Sequence, residues 1–426
     1  MTEQLKLKLN DSKATRWGAL VIVAFTMMAA YYVNDVVAPL KTMLETDLAW
    51  SSTDFGFFTG GYSFLNVFFL MLIWGGLILD RFGIRFTGKL ATILMVGGTA
   101  LEYYAMTGLA GTDATLFGIN EIFGYKTGVF VAFAGYSIFG VGAEVAGITV
   151  SKIIAKWFKG KELATAMGVQ VALARIGSQA GYAVAIPLAR AFGISTPVLL
   201  GLVLLLGGMI AFFVFTVMDK KLDKQMEAAA IAAGTEDEEE KFSFKDVKNI
   251  LVNPGFWLIA LLCVLFYSCV FPFQKFASEL MIIKYGINEN VAGTFAGLPA
   301  LGALILTPVF GGFIDKRGKS ASIMLLGSAM LICVHFIYAI PDINYWLVAI
   351  VLMIILGIAF SLVPSAMWPA VAKIFPVSQL GTAYALIFFI QNIGLWGIPT
   401  LIGWVLDAYC ISGKKPDGTN MYDYTV

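Results

Sequence analysis

The chain has 426 residues, of which 59% are hydrophobic and 13% charged, and its net charge is +1. Soluble domains average roughly 45–50% apolar and about 25% charged residues, so this composition excludes an ordinary soluble protein and indicates a polytopic membrane protein. The balanced charge gives no reason to expect a nucleic acid as a partner. One histidine and four cysteines without paired spacing predict neither a metal site nor a cofactor.

Eleven segments are long and apolar enough to cross a bilayer, which requires about 20 residues per helix. They predict an all-α membrane protein whose spans, numbered 1 to 11, cover residues 17–39, 54–79, 87–108, 127–151, 162–190, 195–218, 255–283, 291–314, 320–340, 345–372 and 380–407. Most of the 29 lysine and arginine residues fall on the side of the membrane that carries the N-terminus. The positive-inside rule therefore predicts a multi-pass protein of the cell membrane with a cytoplasmic N-terminus.

The longest polar stretch divides the spans into six and five. We expect a six-helix bundle at 1–218, a cytoplasmic linker at 219–252 that ends in a short amphipathic helix, and a second bundle at 253–426. The acidic run at 236–240 is typical of a solvated surface. Because a second half that matches the first would have six helices, we also expect a twelfth helix beyond residue 426.

The loops after spans 2 and 8 repeat one pattern, GGLILDRFGIR at 75–85 and GGFIDKRGK at 311–319. Glycines permit close helix contact, and the charges can pair with an adjacent helix and hold one conformation. We predict a conformational-switch motif in both copies, formed by Gly76, Asp80, Arg81, Gly83 and Arg85 and by Gly311, Asp315, Lys316 and Gly318. The pattern resembles the signature loop of the major facilitator superfamily, which implies the major facilitator fold of two pseudo-symmetric six-helix halves and a secondary transporter.

Two charged residues lie near the middle of neighbouring spans, Glu144 in span 4 and Arg175 in span 5. A charge at the bilayer centre costs about 2.5–3.5 kcal/mol on insertion scales, so each is a candidate functional residue. Arg175 can hold a carboxylate with a forked, bidentate contact, and Glu144 can hold an ammonium. Together they predict a clamp on a zwitterion. The alternative is a purely structural salt bridge between the two spans.

Further polar and aromatic residues inside the spans are candidates for lining a substrate cavity. Lys275 and Glu279 are four residues apart in span 7, so we expect them to pair with each other. Glu102, close to the end of span 3, is expected to reach the membrane interface. Besides Glu144 and Arg175, the predicted substrate-binding residues are Tyr31, Tyr32, Asn34, Asp35, Gln179, Tyr267, Gln274, Lys275, Trp368 and Gln391.

Two stretches, WFKGKELATAMGVQVALARIG at 157–177 and SLVPSAMWPAVAKIFPVSQLGTAYALIFFIQNIG at 361–394, resemble the lysosomal dipeptide transporter subfamily and its bacterial relatives. The resemblance implies a uniporter that moves dipeptides down their gradient by alternating access, without an obligatory proton. It also implies that Glu144 and Arg175 hold the peptide. The N-terminal tail shows no acidic dileucine sorting signal, and the only glycosylation sequon lies in this tail, on the predicted cytoplasmic side. Lysosomal membrane proteins usually carry a sorting signal and luminal glycans, so we expect a prokaryotic inner-membrane protein. We also expect a monomer, and no accessory subunit is evident.

Two other functions stay open at this stage. An organic-anion exchanger of the same superfamily would use Arg175 and Lys275 as two positive sites, although Glu144 beside them is unhelpful for a dianion. A non-transporting sensor is disfavoured because the chain carries no large soluble extension. No P-loop GxxxxGK[ST] is present, so neither ATP hydrolysis nor another enzyme activity is expected.

Overall fold

The computed structural model describes residues 8–111, 114–233, 244–375, 377–416 and 418–425. The N-terminal half, residues 8–233, is helical apart from short 3-10 turns at Leu9–Asp11 and Ala38–Leu40 and one β hairpin. Its elements are α1 (Lys13–Val36), α2 (Lys41–Leu48), α3 (Ser52–Phe68), α4 (Met71–Thr107), β1 (Glu121–Ile122), β2 (Tyr125–Lys126), α5 (Thr127–Trp157), α6 (Leu163–Phe192) and α7 (Thr196–Ala233).

The C-terminal half, residues 244–425, is also helical and ends in an antiparallel β hairpin. Its elements are α8 (Phe244–Val252), α9 (Pro254–Ile283), α10 (Glu289–Ala296), α11 (Leu298–Arg317), α12 (Ser320–Ala339), α13 (Trp346–Ile374), α14 (Val377–Tyr409), β3 (Ile411–Lys414) and β4 (Asn420–Tyr422). The predicted all-α membrane fold is confirmed, because nine of the eleven predicted spans coincide with one of these helices or with a segment of one, and the other two are each divided between two consecutive helices.

Two predicted spans are broken rather than continuous. Span 2 is divided between α3 and the first turns of α4, which meet at an angle of 58°. The break falls at Leu70, whose φ of 54° is left-handed. Span 8 is divided at Gly297, between α10 and α11. Among the described residues, eight helical stretches are long and apolar enough to cross a membrane, and the bent α3–α4 pair makes nine.

The two copies of the repeated loop share a backbone feature. Gly83, at a kink inside α4, has φ 74°, and Gly318, directly after α11, has φ 66°. L side chains rarely adopt this conformation, so both positions require glycine for the same backbone reason. The sequence repeat is therefore also a repeat of local conformation.

Each half buries its own apolar core, and the halves meet where glycines let backbones approach. The largest buried side chains include Trp157 and Phe215 in the N-terminal half and Phe256 in the C-terminal half. A Cβ on Gly56 of α3 would lie 2.4 Å from the Pro399 carbonyl oxygen of α14. Helices α3 and α14 therefore join the two halves through close backbone contact.

The last helix of the N-terminal half reaches into the predicted linker. Helix α7 continues to Ala233, beyond residue 218, and this extension carries Asp219 and Asp223. Both acids pair with bases of α4 and α5, which fixes the extra turns in helical form. Helix α8 lies within the predicted amphipathic segment, whereas the acidic run at 236–240 is outside the described residues.

Candidate functional site

A cavity of about 1080 Å³ lies between the two halves. We call the end of the molecule that carries the repeated loops the motif face, and the end that carries the two β hairpins the hairpin face. The cavity extends from Asn34 and Lys275 in the interior to Asp80 and Val247 at the motif face. The predicted substrate-binding residues that line it are Tyr31, Asn34, Glu144, Arg175, Tyr267, Lys275, Trp368 and Gln391.

Arg175 is held in the cavity by aromatic rings. Its guanidinium carbon lies 5.5 Å from the ring centre of Tyr31 in α1 and 5.0 Å from that of Phe360 in α13. Cation–π contacts contribute about 0.5–2 kcal/mol each and use the faces of the rings, so they leave the N–H donors free. Among the described residues, no side chain accepts a hydrogen bond from this guanidinium or pairs with it. The N–H donors of the Arg175 guanidinium are therefore available to a carboxylate.

Glu144 lines the same cavity from α5. Its Oε1 accepts a hydrogen bond from the Tyr62 hydroxyl of α3 at 3.0 Å. Glu144 and Arg175, both described, form no ion pair with each other, so the alternative of a structural salt bridge between spans 4 and 5 is wrong for this conformation. A positive and a negative group thus face one cavity separately.

The inner end of the cavity, toward the hairpin face, is closed by a polar network around Lys275. Its Nζ lies 3.1 Å from Asp35 Oδ1 of α1, 3.4 Å from the Tyr136 hydroxyl of α5, and donates to the Asn34 carbonyl oxygen. Asp35 also accepts a hydrogen bond from Ser178 of α6 at 2.6 Å. One lysine of the C-terminal half therefore contacts α1 and α5 of the N-terminal half directly, and is linked to α6 through Asp35.

The expected pairing of Lys275 with Glu279 is wrong. Glu279 instead pairs with Lys41 of α2 at 2.5 Å, and both side chains are buried. The i,i+4 spacing does place both residues on one side of α9, but that side faces the N-terminal half. Each charge finds a partner there, so both pairs bridge the halves.

Four predicted substrate residues do not line the cavity. Asp35 lies behind Lys275, and the Tyr32 hydroxyl donates to the Pro197 carbonyl oxygen at 3.2 Å. The amides of Gln179 and Gln274 donate to backbone carbonyl oxygens of α10, at 3.3 Å and 3.5 Å. Asp35 and Gln179 thus contact the opposite half, whereas Tyr32 and Gln274 each bond within their own half.

The sequence predicted that Glu102 reaches the membrane interface, but the structure buries it inside the protein. Its exposed fraction is 0%, and neither carboxyl oxygen has a hydrogen-bond partner among the described residues. The cause is the close approach of α5, where a Cβ on Gly135 would lie 2.9 Å from the Glu102 backbone nitrogen. Helix α5 therefore covers the position that the sequence assigned to the interface.

The C-terminal half contributes an aromatic wall to the cavity, of which the sequence predicted Tyr267 and Trp368 but not Phe271 and Phe388. Trp368 donates to the Tyr267 hydroxyl at 3.3 Å, and its ring centre lies 4.9 Å from that of Phe388. Phe271 stacks on Tyr267, with ring centres 5.5 Å apart. The available signal was spacing, since Phe271 follows Tyr267 by one helical turn on the same side of α9.

The charges of the first repeated loop pair within the N-terminal half. Asp80 lies 3.1 Å from Lys152 Nζ of α5, and Arg85 lies 2.5 Å from Asp223 of α7. Asp219, fully buried, accepts from Lys156 at 2.7 Å. In the second loop, the Asp315 side chain lies outside the described part of the structure.

Comparisons with known proteins agree with this architecture. The family model described as Major Facilitator Superfamily matches residues 20–397. The human lysosomal dipeptide transporter MFSD1 is 29% identical over 409 residues, which are 93% of this chain and 81% of that protein. MFSD1 of Danio rerio is 28% identical over 400 residues, 91% of this chain and 80% of that protein.

Solved structures share the fold at low sequence identity. A bacterial homolog of the human lysosomal transporter Spinster, in an inward-facing and unoccupied conformation, superposes with a TM-score of 0.69 and 15% identity, over 93% of this chain and 84% of that chain. A D-xylose-proton symporter superposes with a TM-score of 0.63 and 15% identity, over 92% and 91%.

Proposed function

Because the chain belongs to the Major Facilitator Superfamily, and is thus a multi-pass membrane transporter, we propose that it carries dipeptides across the membrane. The observation that carries the proposal is the separation of Arg175 and Glu144, which line one cavity without pairing with each other. A dipeptide presents a carboxylate at one end and an ammonium at the other. Each charge of the cavity then holds one end of the substrate.

The surroundings of the two charges suit this assignment. Aromatic contacts hold the Arg175 guanidinium while its donors stay free for a bidentate contact with a carboxylate. The Tyr62 hydroxyl orients the Glu144 carboxylate and leaves its second oxygen for an ammonium. Polar groups fix the ends of the substrate, and the aromatic wall around Trp368 provides the apolar remainder of a small-molecule site. The names of the relatives, lysosomal dipeptide transporters, support the same substrate class.

The unequal ends of the cavity support alternating access as the mechanism. Ion pairs between the halves close the hairpin face, while the cavity reaches the motif face. The excess of lysine and arginine on the motif face supports a cytoplasmic N-terminus in the cell membrane, so this conformation is inward-open. Transport then requires the interhalf pairs to break and the motif face to close.

The mechanism we propose is uniport, in which the peptide crosses without a coupled proton. The driving force is the peptide gradient, and the substrate termini satisfy both clamp charges, so no proton is required to balance them. Proteoliposomes with an internal pH dye provide the measurement. Peptide uptake without internal acidification supports uniport, and acidification in proportion to uptake contradicts it.

The clamp is tested by ligand-induced thermal stabilisation of the purified protein, with a dipeptide, its N-acetylated and C-amidated forms, and a single amino acid. Loss of a hydrogen-bonded charge contact of about 2 kcal/mol weakens binding about 30-fold. We therefore expect Arg175→Ala to lose the preference for a free carboxylate, and Glu144→Gln to lose the preference for a free amine. Arg317→Ala, an exposed arginine at the motif face, is the matched control.

The organic-anion exchanger remains the second candidate, because Lys275 and Arg175 both line the cavity. Asp35 already pairs with Lys275, however, and Glu144 adds a negative charge. Dicarboxylates in the same screen decide between the two functions. Wild-type stabilisation by a dipeptide in both clamp variants, or stronger stabilisation by a dicarboxylate, rules out the dipeptide clamp.

A further inference from the structure

The segment that follows α14 reaches across the hairpin face to the other half. Tyr422 of β4 is only 3% exposed, and its hydroxyl donates to Asp407 of α14 at 2.5 Å and accepts from the Ser52 amide at 3.3 Å. Asp407 itself accepts from the Thr53 amide at 2.6 Å. Ser52 and Thr53 form the first turn of α3, whose unpaired N–H groups attract a negative charge. A carboxylate of the C-terminal half thus caps a helix of the N-terminal half.

A second set of contacts lies beside the first and uses Lys41 of α2. Its Nζ is 2.5 Å from Glu279 of α9 and 4.7 Å from the ring centre of Tyr422. The Tyr424 hydroxyl donates to the same Glu279 carboxylate. One lysine of the N-terminal half is therefore enclosed by a carboxylate and a ring of the C-terminal half. Buried pairs of this kind are costly to break, because each freed charge loses its partner.

The two tyrosines remain donors at any physiological pH. Burial, followed by the charge of Glu279, raises the pKa of the Tyr424 phenol well above its usual range. Burial, followed by the hydrogen bond to Asp407, also raises the pKa of Tyr422. Any response of these contacts to physiological pH must therefore come from a different side chain.

Glu45 of α2 is that group. It is 4% exposed, and neither of its carboxyl oxygens has a hydrogen-bond partner among the described residues. The charged and titratable groups that face it are Lys41 on its own helix, Glu279 on α9, Asp407 on α14, Lys415 after β3 and Tyr422 on β4.

The charges of this cluster balance only when Glu45 is protonated. Two lysines then oppose two carboxylates, whereas an ionised Glu45 adds a third carboxylate with no partner of its own. A buried, unpaired carboxylate is strongly disfavoured. When the halves separate at the hairpin face, Glu45 meets water and ionises near its ordinary value of about 4.3. The closed form consequently binds a proton more tightly than the open form.

We propose that Lys41, Glu45, Glu279, Asp407, Tyr422 and Tyr424 form a proton-sensitive clasp that locks the hairpin face closed. Protonation of Glu45 strengthens the clasp, and ionisation weakens it. Stability of the closed form is fully present at low pH and is lost as the pH rises through the closed-state titration of Glu45. The clasp rests on the alternating access of the proposed function, but not on its substrate.

The test measures the hairpin-face distance directly, without substrate. Spin labels replace the exposed residues Thr46 and Asp342, one in each half, in the full chain with its four native cysteines replaced by alanine. Pulsed dipolar spectroscopy in lipid nanodiscs at pH 5 and pH 8 gives the ratio of closed to open molecules. We expect this ratio to fall with rising pH, about tenfold for each unit of difference in the pKa of Glu45 between the two forms.

Three variants separate the parts of the clasp. Glu45→Gln is expected to stay closed at both pH values, because a neutral amide replaces the protonated acid. Tyr422→Phe and Tyr424→Phe each lose a hydrogen bond to a carboxylate, and are expected to lower the closed-to-open ratio about tenfold at either pH. Tyr409→Phe, an exposed tyrosine of α14, is the control and should match the wild type.

A wild-type pH response in Glu45→Gln overturns the proton-sensitive part, and equal ratios in Tyr409→Phe, Tyr422→Phe and Tyr424→Phe overturn the clasp. Should one of the clasp variants fail to fold, the other still carries the test. Because no peptide is present, a failure of dipeptide binding leaves this measurement untouched, and a failure of the clasp leaves the peptide screen untouched.

Discussion

The motif face and the hairpin face both carry clusters of acidic and basic residues, but the clusters connect different parts of the molecule. At the motif face, Asp80, Arg85 and Asp219 pair with bases and acids of their own half. At the hairpin face, Lys41 and Lys275 pair across the two halves. Among the described residues, the ion pairs between the halves are confined to the hairpin face. Charge pairing within a half stabilises the half, and pairing between halves selects the conformation.

The largest expected effect comes from removing one member of the buried pair Lys275–Asp35. Lys275→Met leaves Asp35 as an uncompensated buried charge, which costs about 3–5 kcal/mol. We expect a lower melting temperature and a larger open fraction at the hairpin face, measured by thermal unfolding and spin-label distances. Lys275→Met combined with Asp35→Leu should recover most of the stability. A single variant as stable and as closed as the wild type would contradict the assignment of this pair to the closed state.

A smaller effect is expected at the motif face, from Asp219→Asn. This carboxylate is fully buried and accepts from Lys156 and from the Trp157 indole at 3.0 Å. Its neutralisation is expected to cost about 2–3 kcal/mol, because hydrogen bonds to a charged group are lost. The melting temperature should fall while the distances at the hairpin face stay unchanged. Opening of the hairpin face in this variant would erase the distinction between the two clusters.

The glycine contact between α3 and α14 gives a test without any change of charge. Gly56→Ala places a methyl group 2.4 Å from the Pro399 carbonyl oxygen, and such overpacking costs about 1–3 kcal/mol. We expect the closed hairpin face to be disfavoured, visible as a larger spin-label distance. Gly97→Ala in α4, where an added Cβ has no neighbour within 4 Å, is the matched control and should be neutral. Equal behaviour of the two variants would show that this contact does not limit opening.

The smallest effect is expected for Lys152→Ala, which removes the partner of Asp80. Both side chains are well exposed, and surface pairs contribute about 0–1 kcal/mol. Thermal stability should therefore change little, and added salt should reduce the difference further. A large loss of stability would mean that the Asp80–Lys152 pair does more than join two neighbouring helices of one half.

Several features of the fold could be predicted from local sequence. A run of about 20 apolar residues predicts a membrane-spanning helix. Lipid offers no hydrogen-bond partners, so the backbone N–H and C=O groups of the segment must bond to one another, as they do in a helix. Gly83 and Gly318 marked the repeat, and both adopt the left-handed conformation that glycine tolerates. The break at Leu70 was not predictable, since nothing in FFLML favours a left-handed residue.

The candidate site was predicted in part. Glu144 and Arg175 were predicted as substrate-binding residues because ionisable side chains are rare and costly in a membrane. Both line the cavity. Tyr62 and Phe360, which contact them, are ordinary residues of apolar spans and gave no comparable signal. Whether an aromatic residue faces a cavity or lipid depends on the rotation of its helix against neighbours that are distant in the sequence.

The sequence by itself determined the class of protein, the approximate positions of the spans, the internal repeat and the two charges near the middle of spans 4 and 5. Only the tertiary structure decided which charges pair. Lys275 and Glu279 have the spacing of partners, yet each binds a residue of the other half, and Glu102 is covered by α5 rather than exposed at an interface. Helical periodicity sets the direction of a side chain relative to its own helix, whereas its partner depends on which helix packs opposite.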